Sequence, residues 1–132
     1  MAAKGKYDFD FGGRKILVVE DNLLSFNLMA AVLKQVKAEI VHAKNGREAI
    51  ELCRQESDFS LVLMDMQMPE VDGLQATREI KQINPELPVV ATTANAYDDK
   101  AIECQEAGCD AFLTKPLQFR QLFELMASYL DR

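Results

Sequence analysis

Residues 61–73 read LVLMDMQMPEVDG, an apolar run that delivers one carboxylate, Asp65, and then breaks into a segment holding Pro69 and Gly73. A run of this length bounded by turn residues suits a strand buried on both faces. Periodicity alone leaves a short core helix open, and Pro69 and Gly73 favour strand followed by turn. An acid at the tip of a core strand is costly to desolvate unless something pairs with it. Groups able to stand beside Asp65 are therefore expected elsewhere in the chain.

The 132 residues suffice for one domain with its own core, needing neither disulfides nor a structural metal. A net charge of −6 and no clustered Lys and Arg exclude a nucleic-acid surface, so no direct nucleic-acid partner is expected. No apolar run approaches the roughly 20 residues of a membrane span. No secretory segment opens the sequence, which gives an expectation of no membrane insertion and a cytoplasmic location. Cys53, Cys104 and Cys109 form an odd set without CxxC spacing, which reads as buried free thiols rather than a disulfide framework or zinc site.

Residues 1–14 are Gly-, Lys- and Asp-rich and read as a tail or linker remnant ahead of a domain at 15–132. Within them Tyr7, Phe9 and Phe11 alternate with Asp8 and Asp10 at strand period, so this piece could instead lie against the domain or have belonged to an upstream module. Lys15 to Val19 is the first apolar run and ends on Glu20, Asp21 and Asn22. Phe26, Met29, Leu33 and Val36 then recur three or four apart, predicting a helix over 23–37 with Asn22 as its N-cap.

A second strand is expected at 39–43, a turn at Asn45-Gly46 and a second helix at 47–55. The single histidine, His42, reads as a partly packed side chain, since one His without partners supports no triad. A third helix follows at 74–83, a fourth strand at 89–93 ending on Thr93, and a fourth helix at 95–107 with a weak apolar face and Gly108 as its C-terminal cap. That helix is expected to be the most mobile. A fifth strand at 111–114 runs into Lys115-Pro116, and a helix at 118–130 closes the chain. Five strands alternating with five helices predict an α/β flavodoxin-like, doubly wound (βα)5 fold with a five-stranded parallel sheet in the order 2-1-3-4-5.

In such sheets ligands bind outside the carboxyl ends of the strands, at the switch point between strands one and three. Glu20, Asp21 and Asp65 would meet there, with Thr93 and Lys115 completing the rim. Like charges about 4 Å apart repel by about 4 kcal/mol per pair at an effective dielectric near 20. Cations must hold them together: Lys115 supplies one, and a hard divalent ion with oxygen ligands, Mg²⁺, suits the remainder. Mg²⁺ prefers few carboxylates plus a phosphate oxygen, so the site anticipates a phosphoryl group. Asp65 is central enough to be its nucleophile, with Lys115 neutralising charge and Thr93 and nearby backbone N–H groups donating hydrogen bonds.

The strings ILVVEDN, AKNGREAI, LVLMDMQMPEVDG, VVATTANA and GCDAFLTKPL, in this order and spacing, resemble the receiver domain of two-component response regulators and hybrid histidine kinases. The resemblance runs from about Lys15 to Leu130. It implies that Asp65 takes a phosphoryl group from the phosphohistidine of a histidine kinase or phosphotransfer protein. Asp21 would bind Mg²⁺ directly, Glu20 mainly through water, and Asp65 and the backbone carbonyl of Gln67 would complete the protein ligands. Thr93 and Phe112 match switch positions, Ala94 would give its N–H to the phosphate, and Lys115-Pro116 is expected to be cis. The switched face would comprise the fourth helix, fifth strand and fifth helix, through which a homodimer could also form. Phe112 departs from the more frequent Tyr, and Gln67 and Asn95 occupy positions where the family varies.

The implied role is a signalling switch that catalyses its own Mg²⁺-dependent phosphorylation and dephosphorylation, not an enzyme acting on other substrates. Two alternatives compete with it. A Mg²⁺-dependent aspartyl-phosphate phosphatase would need a second acid–base group and a substrate-covering cap, for which the sequence has no insertion. A vestigial receiver acting only as a binding module would not be expected to keep Glu20, Asp21, Asp65, Thr93 and Lys115 together.

Overall fold

The computed structural model describes residues 9–66, 73–94 and 99–130, with side chains from 102 onward in the last segment. Five parallel strands, β1 (Lys15–Val19), β2 (Glu39–Ala43), β3 (Leu61–Asp65), β4 (Val89–Thr93) and β5 (Ala111–Thr114), stand in the order β2-β1-β3-β4-β5. Five helices follow them in turn: α1 (Leu23–Gln35), α2 (Gly46–Gln55), α3 (Gly73–Ile83), α4 (Asp99–Ala107) and α5 (Phe119–Leu130). This is the doubly wound fold expected from the sequence. Among the described residues, no helix is long and apolar enough to cross a membrane.

Strand alternation divides the core into two layers, because successive side chains leave the sheet on opposite faces. Leu17, Val19, Val62, Met64, Val89 and Ala91 pack with Ala49, Ile50 and Cys53 of α2, Ala76 and Ile80 of α3, and Cys104 of α4. Ile16, Val18, Leu61, Leu63 and Val90 pack with Val32 and Leu33 of α1 and with Leu122, Phe123 and Met126 of α5. β3 and β4 are buried throughout, so their acid and hydroxyls are carried at the ends of the best-anchored strands.

Several boundaries differ from the expected ones for local reasons. α1 stops at Gln35 rather than at residue 37: Lys37 takes φ 66, its N–H bonds the Lys34 carbonyl at 3.0 Å, and the Ala38 N–H bonds Leu33 at 3.2 Å. That is a Schellman closure with lysine where glycine is usual. Asn45-Gly46 is a helix start rather than a free turn, since Asn45 Oδ1 accepts from the Glu48 N–H at 2.9 Å and Gly46 opens α2. α3 begins at Gly73 and α5 at Phe119, each within one residue of expectation. Asn22 caps α1 as expected, its Oδ1 accepting from the Ser25 N–H at 2.9 Å. Gly108, at φ 112, ends α4.

Residues 9–11 of the lead-in lie against the domain. Phe11 is 2% exposed, its N–H bonds the Val36 carbonyl, and its ring lies 6.4 Å from that of Phe123, with Phe9 5.7 Å from Phe123. Residues 9–11 therefore close one end of the α1–α5 layer. Tyr7 and Asp8 lie outside the described residues. All three cysteines are buried and free, as expected.

Candidate functional site

Register places the site. β1 pairs with β3 so that Val19 faces Met64, which sets the next residues, Glu20 and Asp65, side by side at the strand tips. Asp65 in turn faces Thr92 across β3 and β4, and the Lys115 N–H bonds the Thr93 carbonyl at 2.8 Å, bringing the end of β5 against β4. The acids thus meet because three short strands end at one level.

Ligand oxygens of Glu20, Asp21 and Asp65 all lie within 4.8 Å of one another. Asp65 is 4% exposed, and its Oδ1 accepts from Lys115 Nζ at 3.1 Å. One ammonium against three carboxylates leaves the cluster with an excess of negative charge. The strain falls on Glu20, whose carboxyl is pushed up from 4.5 to about 7, first by burial, then by its hydrogen bond with Asp65 and that group's charge. The Asn22 N–H, 3.2 Å from Glu20 Oε2, and the Lys115 charge pull the other way without cancelling this. All-oxygen donors with surplus negative charge and one exposed member, Asp21, fit a hard divalent cation of the Mg²⁺ type.

Thr93, 2% exposed, ends β4 beside this cluster, and Ala94 follows it at the surface. Lys115 precedes a cis bond to Pro116, as the resemblance implied. Phe112 is half-buried and packs on the α2–α3–α4 side of the sheet. The structure therefore brings Glu20, Asp21, Asp65, Thr93 and Lys115 together at one end of the sheet and sets Phe112 three residues upstream of Lys115. Gln67 and Asn95 lie outside the described residues.

Features not anticipated from the sequence surround this set. The His42 ring stacks on Phe26, centroids 3.6 Å apart and planes 9° apart, and its Nε2 lies 2.8 Å from the Glu20 carbonyl oxygen. His42 is packed, as read, and also braces the backbone carrying the acids. A cleft of about 330 Å³ opens beside Glu20, lined by Leu28, Met29, Thr92, Lys115, Leu117 and Phe119. α1, which lends Leu28 to the cleft, exposes Leu23, Leu24 and Leu28 at 64%, 81% and 58%. The helical period assigned Phe26 and Met29 to the inner face, and the outward leucines were legible only as residues left off that face.

The family model for the response regulator receiver domain matches residues 16–127. The chain belongs to that family. It is a receiver domain of two-component signalling. It is similar to histidine kinase 3 of Arabidopsis thaliana, 33% identical across 90% of this chain, and spans 14% of that relative's length. Among solved structures it resembles the receiver domain of a sensor histidine kinase from Pseudomonas aeruginosa, with magnesium coordinated in its active-site cleft. That pair has TM-score 0.85 and 28% identity, covering 92% of this chain and 100% of the other. It also resembles the receiver domain of Ssk1 from Saccharomyces cerevisiae, solved in complex with the histidine phosphotransfer protein Ypd1. There the TM-score is 0.83 and the identity 25%, covering 92% of this chain and 91% of the other.

Proposed function

We propose that Asp65 is the phosphoacceptor of this receiver domain and that the acid cluster works with Mg²⁺. The observation that carries this is the convergence of three carboxylate ligand atoms within 4.8 Å, with a lysine on the central one. Glu20, Asp21, Asp65 and the Gln67 backbone carbonyl would hold the ion, which supplies charge neutralisation for the incoming phosphoryl oxygens.

This chain's residues then perform an in-line transfer. A carboxylate oxygen of Asp65 attacks the phosphorus of a phosphohistidine, the P–N bond breaks, and the electron pair leaves with the imidazole. Lys115, already on Asp65 Oδ1, balances charge on the transferring group, and the Thr93 hydroxyl and Ala94 N–H donate to its oxygens. Because Thr93 is buried at the end of β4 and Phe112 stands on β5 opposite Ala91, two residues before Thr93 on β4, occupation of the site biases two arrangements of the α4–β5–α5 face. The same residues catalyse hydrolysis of the acyl phosphate, which makes the domain a timed switch.

The donor is a histidine kinase or a phosphotransfer protein. The apolar cleft and the exposed leucines of α1, directly beside the acids, suit an apolar helical surface carrying the phosphohistidine. The receiving state passes its signal by protein contact in the cytoplasm, with homodimerisation through α4–β5–α5 as one mode. Incubation with Mg²⁺ and a small phosphodonor should add one phosphoryl group by intact mass spectrometry. Chelation of the metal should abolish the gain, and an unmodified wild-type protein would refute the proposal.

A further inference from the structure

Two of the three thiols form a built pair away from the acid site. Cys104 lies in the last turn of α4 and Cys109 two residues past its end, 0% and 7% exposed. The left-handed Gly108 turns the chain so that the Cys109 N–H bonds the Cys104 carbonyl at 3.1 Å and the Gly108 N–H bonds Gln105 at 3.1 Å. This closure holds the two Cα atoms within about 7 Å, at the span a disulfide bridges. The two thiols lie close enough that each perturbs the ionisation of the other.

The surroundings favour sulfur chemistry over inert packing. Thr77 of α3 is wholly buried, and its hydroxyl, close to Cys104, has no hydrogen-bond partner among the described residues. The Lys81 stem covers Gly108, 3.3 Å from where a Cβ would stand, and its ammonium bonds Asp110 at 3.0 Å, beside Cys109. Burial instead pushes the Cys53 thiol up to about 11.

We infer that Cys104 and Cys109 are a redox pair, which hydrogen peroxide oxidises to an intramolecular disulfide. Cys109 is the attacking sulfur, since it keeps the greater surface access of the two, 7% against 0%, and the Lys81 ammonium stands beside it on Asp110. Its thiolate attacks the terminal peroxide oxygen, the O–O bond breaks, and the departing oxygen leaves as water with the proton shed by the thiol. The Cys104 sulfur then attacks the resulting sulfenic sulfur, the S–O bond breaks, and hydroxide leaves with the Cys104 proton as a second water. Two thiols are oxidised by two electrons and one peroxide is reduced. The cross-link ties the end of α4 to the start of β5, three residues ahead of Phe112.

The test uses the whole reduced chain, exposed to stoichiometric hydrogen peroxide, unfolded in iodoacetamide and digested with trypsin. Cys104 and Cys109 fall in one tryptic peptide and Cys53 in another. The first peptide should emerge unalkylated and lighter by two hydrogens, while Cys53 stays alkylatable and reacts at least about tenfold more slowly. In Cys104→Ser the two-hydrogen loss should vanish, with a dimedone adduct trapped on Cys109. Full alkylation of both cysteines in the peroxide-treated wild type would overturn the inference, as would oxidation of Cys53 at an equal rate. Phosphoryl uptake plays no part in this readout.

Discussion

Glu20 makes the cation site pH-dependent, and the size of the effect follows from its surroundings. Its carboxyl sits at about 7 in the metal-free protein, chiefly through burial and through Asp65. A cation needs the ionised form, so binding must displace a proton wherever the pH lies below that value. One pH unit below its midpoint only about a tenth of the group is ionised, so the Mg²⁺ dissociation constant should be about tenfold weaker at pH 6 than at pH 8. The folded-state value lies above the ordinary 4.5, so protonated Glu20 stabilises the metal-free fold. That contribution is complete below pH 4.5 and is lost as the pH rises through about 7. The full displacement would be roughly 3 kcal/mol, which solvent screening at this partly exposed side chain reduces to about 1–2 kcal/mol. Isothermal titration calorimetry at constant ionic strength reads the first effect and urea melts with chelator the second. Glu20→Gln should flatten both curves, whereas His42→Gln, which removes the ring stacked on Phe26 and set against the Glu20 carbonyl but leaves the acids in place, should leave the slope intact. Equal Mg²⁺ affinity at pH 6 and pH 8 in the wild type would refute the reasoning.

Other outcomes follow from particular contacts. Phe11→Ala should cost about 3–4 kcal/mol in urea denaturation, because a buried ring against Phe123 is deleted from the α1–α5 layer; a loss under 1 kcal/mol would make residues 9–11 a dispensable tail. Lys37→Gly should stabilise by about 0.5–1 kcal/mol in the same assay, since the residue sits at φ 66 and its ion pair with Asp10 is exposed and long at 3.7 Å. Gly73→Ala should cost about 1–3 kcal/mol, because the added methyl would stand 2.6 Å from Met66 Sδ and 3.2 Å from the Asp65 carbonyl; an unchanged melting temperature would contradict that crowding.

The site was legible because its chemistry lies at strand ends, where a run such as LVLMD announces both the strand and the side chain it delivers. Glu20, Asp21, Asp65, Thr93 and Lys115 each follow or end an apolar run, and strand order alone brought them together. Boundaries were less legible where side-chain chemistry overrode the usual signal. Lys37 closes α1 in a conformation that glycine would have advertised, and Asn45 caps a helix where Asn-Gly suggested a turn. The Phe26–His42 stack bridges residues far apart in sequence, and the outward leucines of α1 break no helical rule, so neither left a periodic trace. The Phe11–Phe123 contact likewise joins opposite ends of the chain, which composition near the N-terminus obscured.

The central claim is that one of three clustered carboxylates, Asp65, receives the phosphoryl group while the other two serve the cation. Phosphoryl incorporation from a small donor, followed by intact mass in wild type, Glu20→Gln, Asp21→Asn and Asp65→Asn side by side, tests it most directly. Slower incorporation is predicted in the first two variants, more so in Asp21→Asn, with the final adduct still one group per chain, and none at all in Asp65→Asn. An adduct that persists in Asp65→Asn would contradict the account.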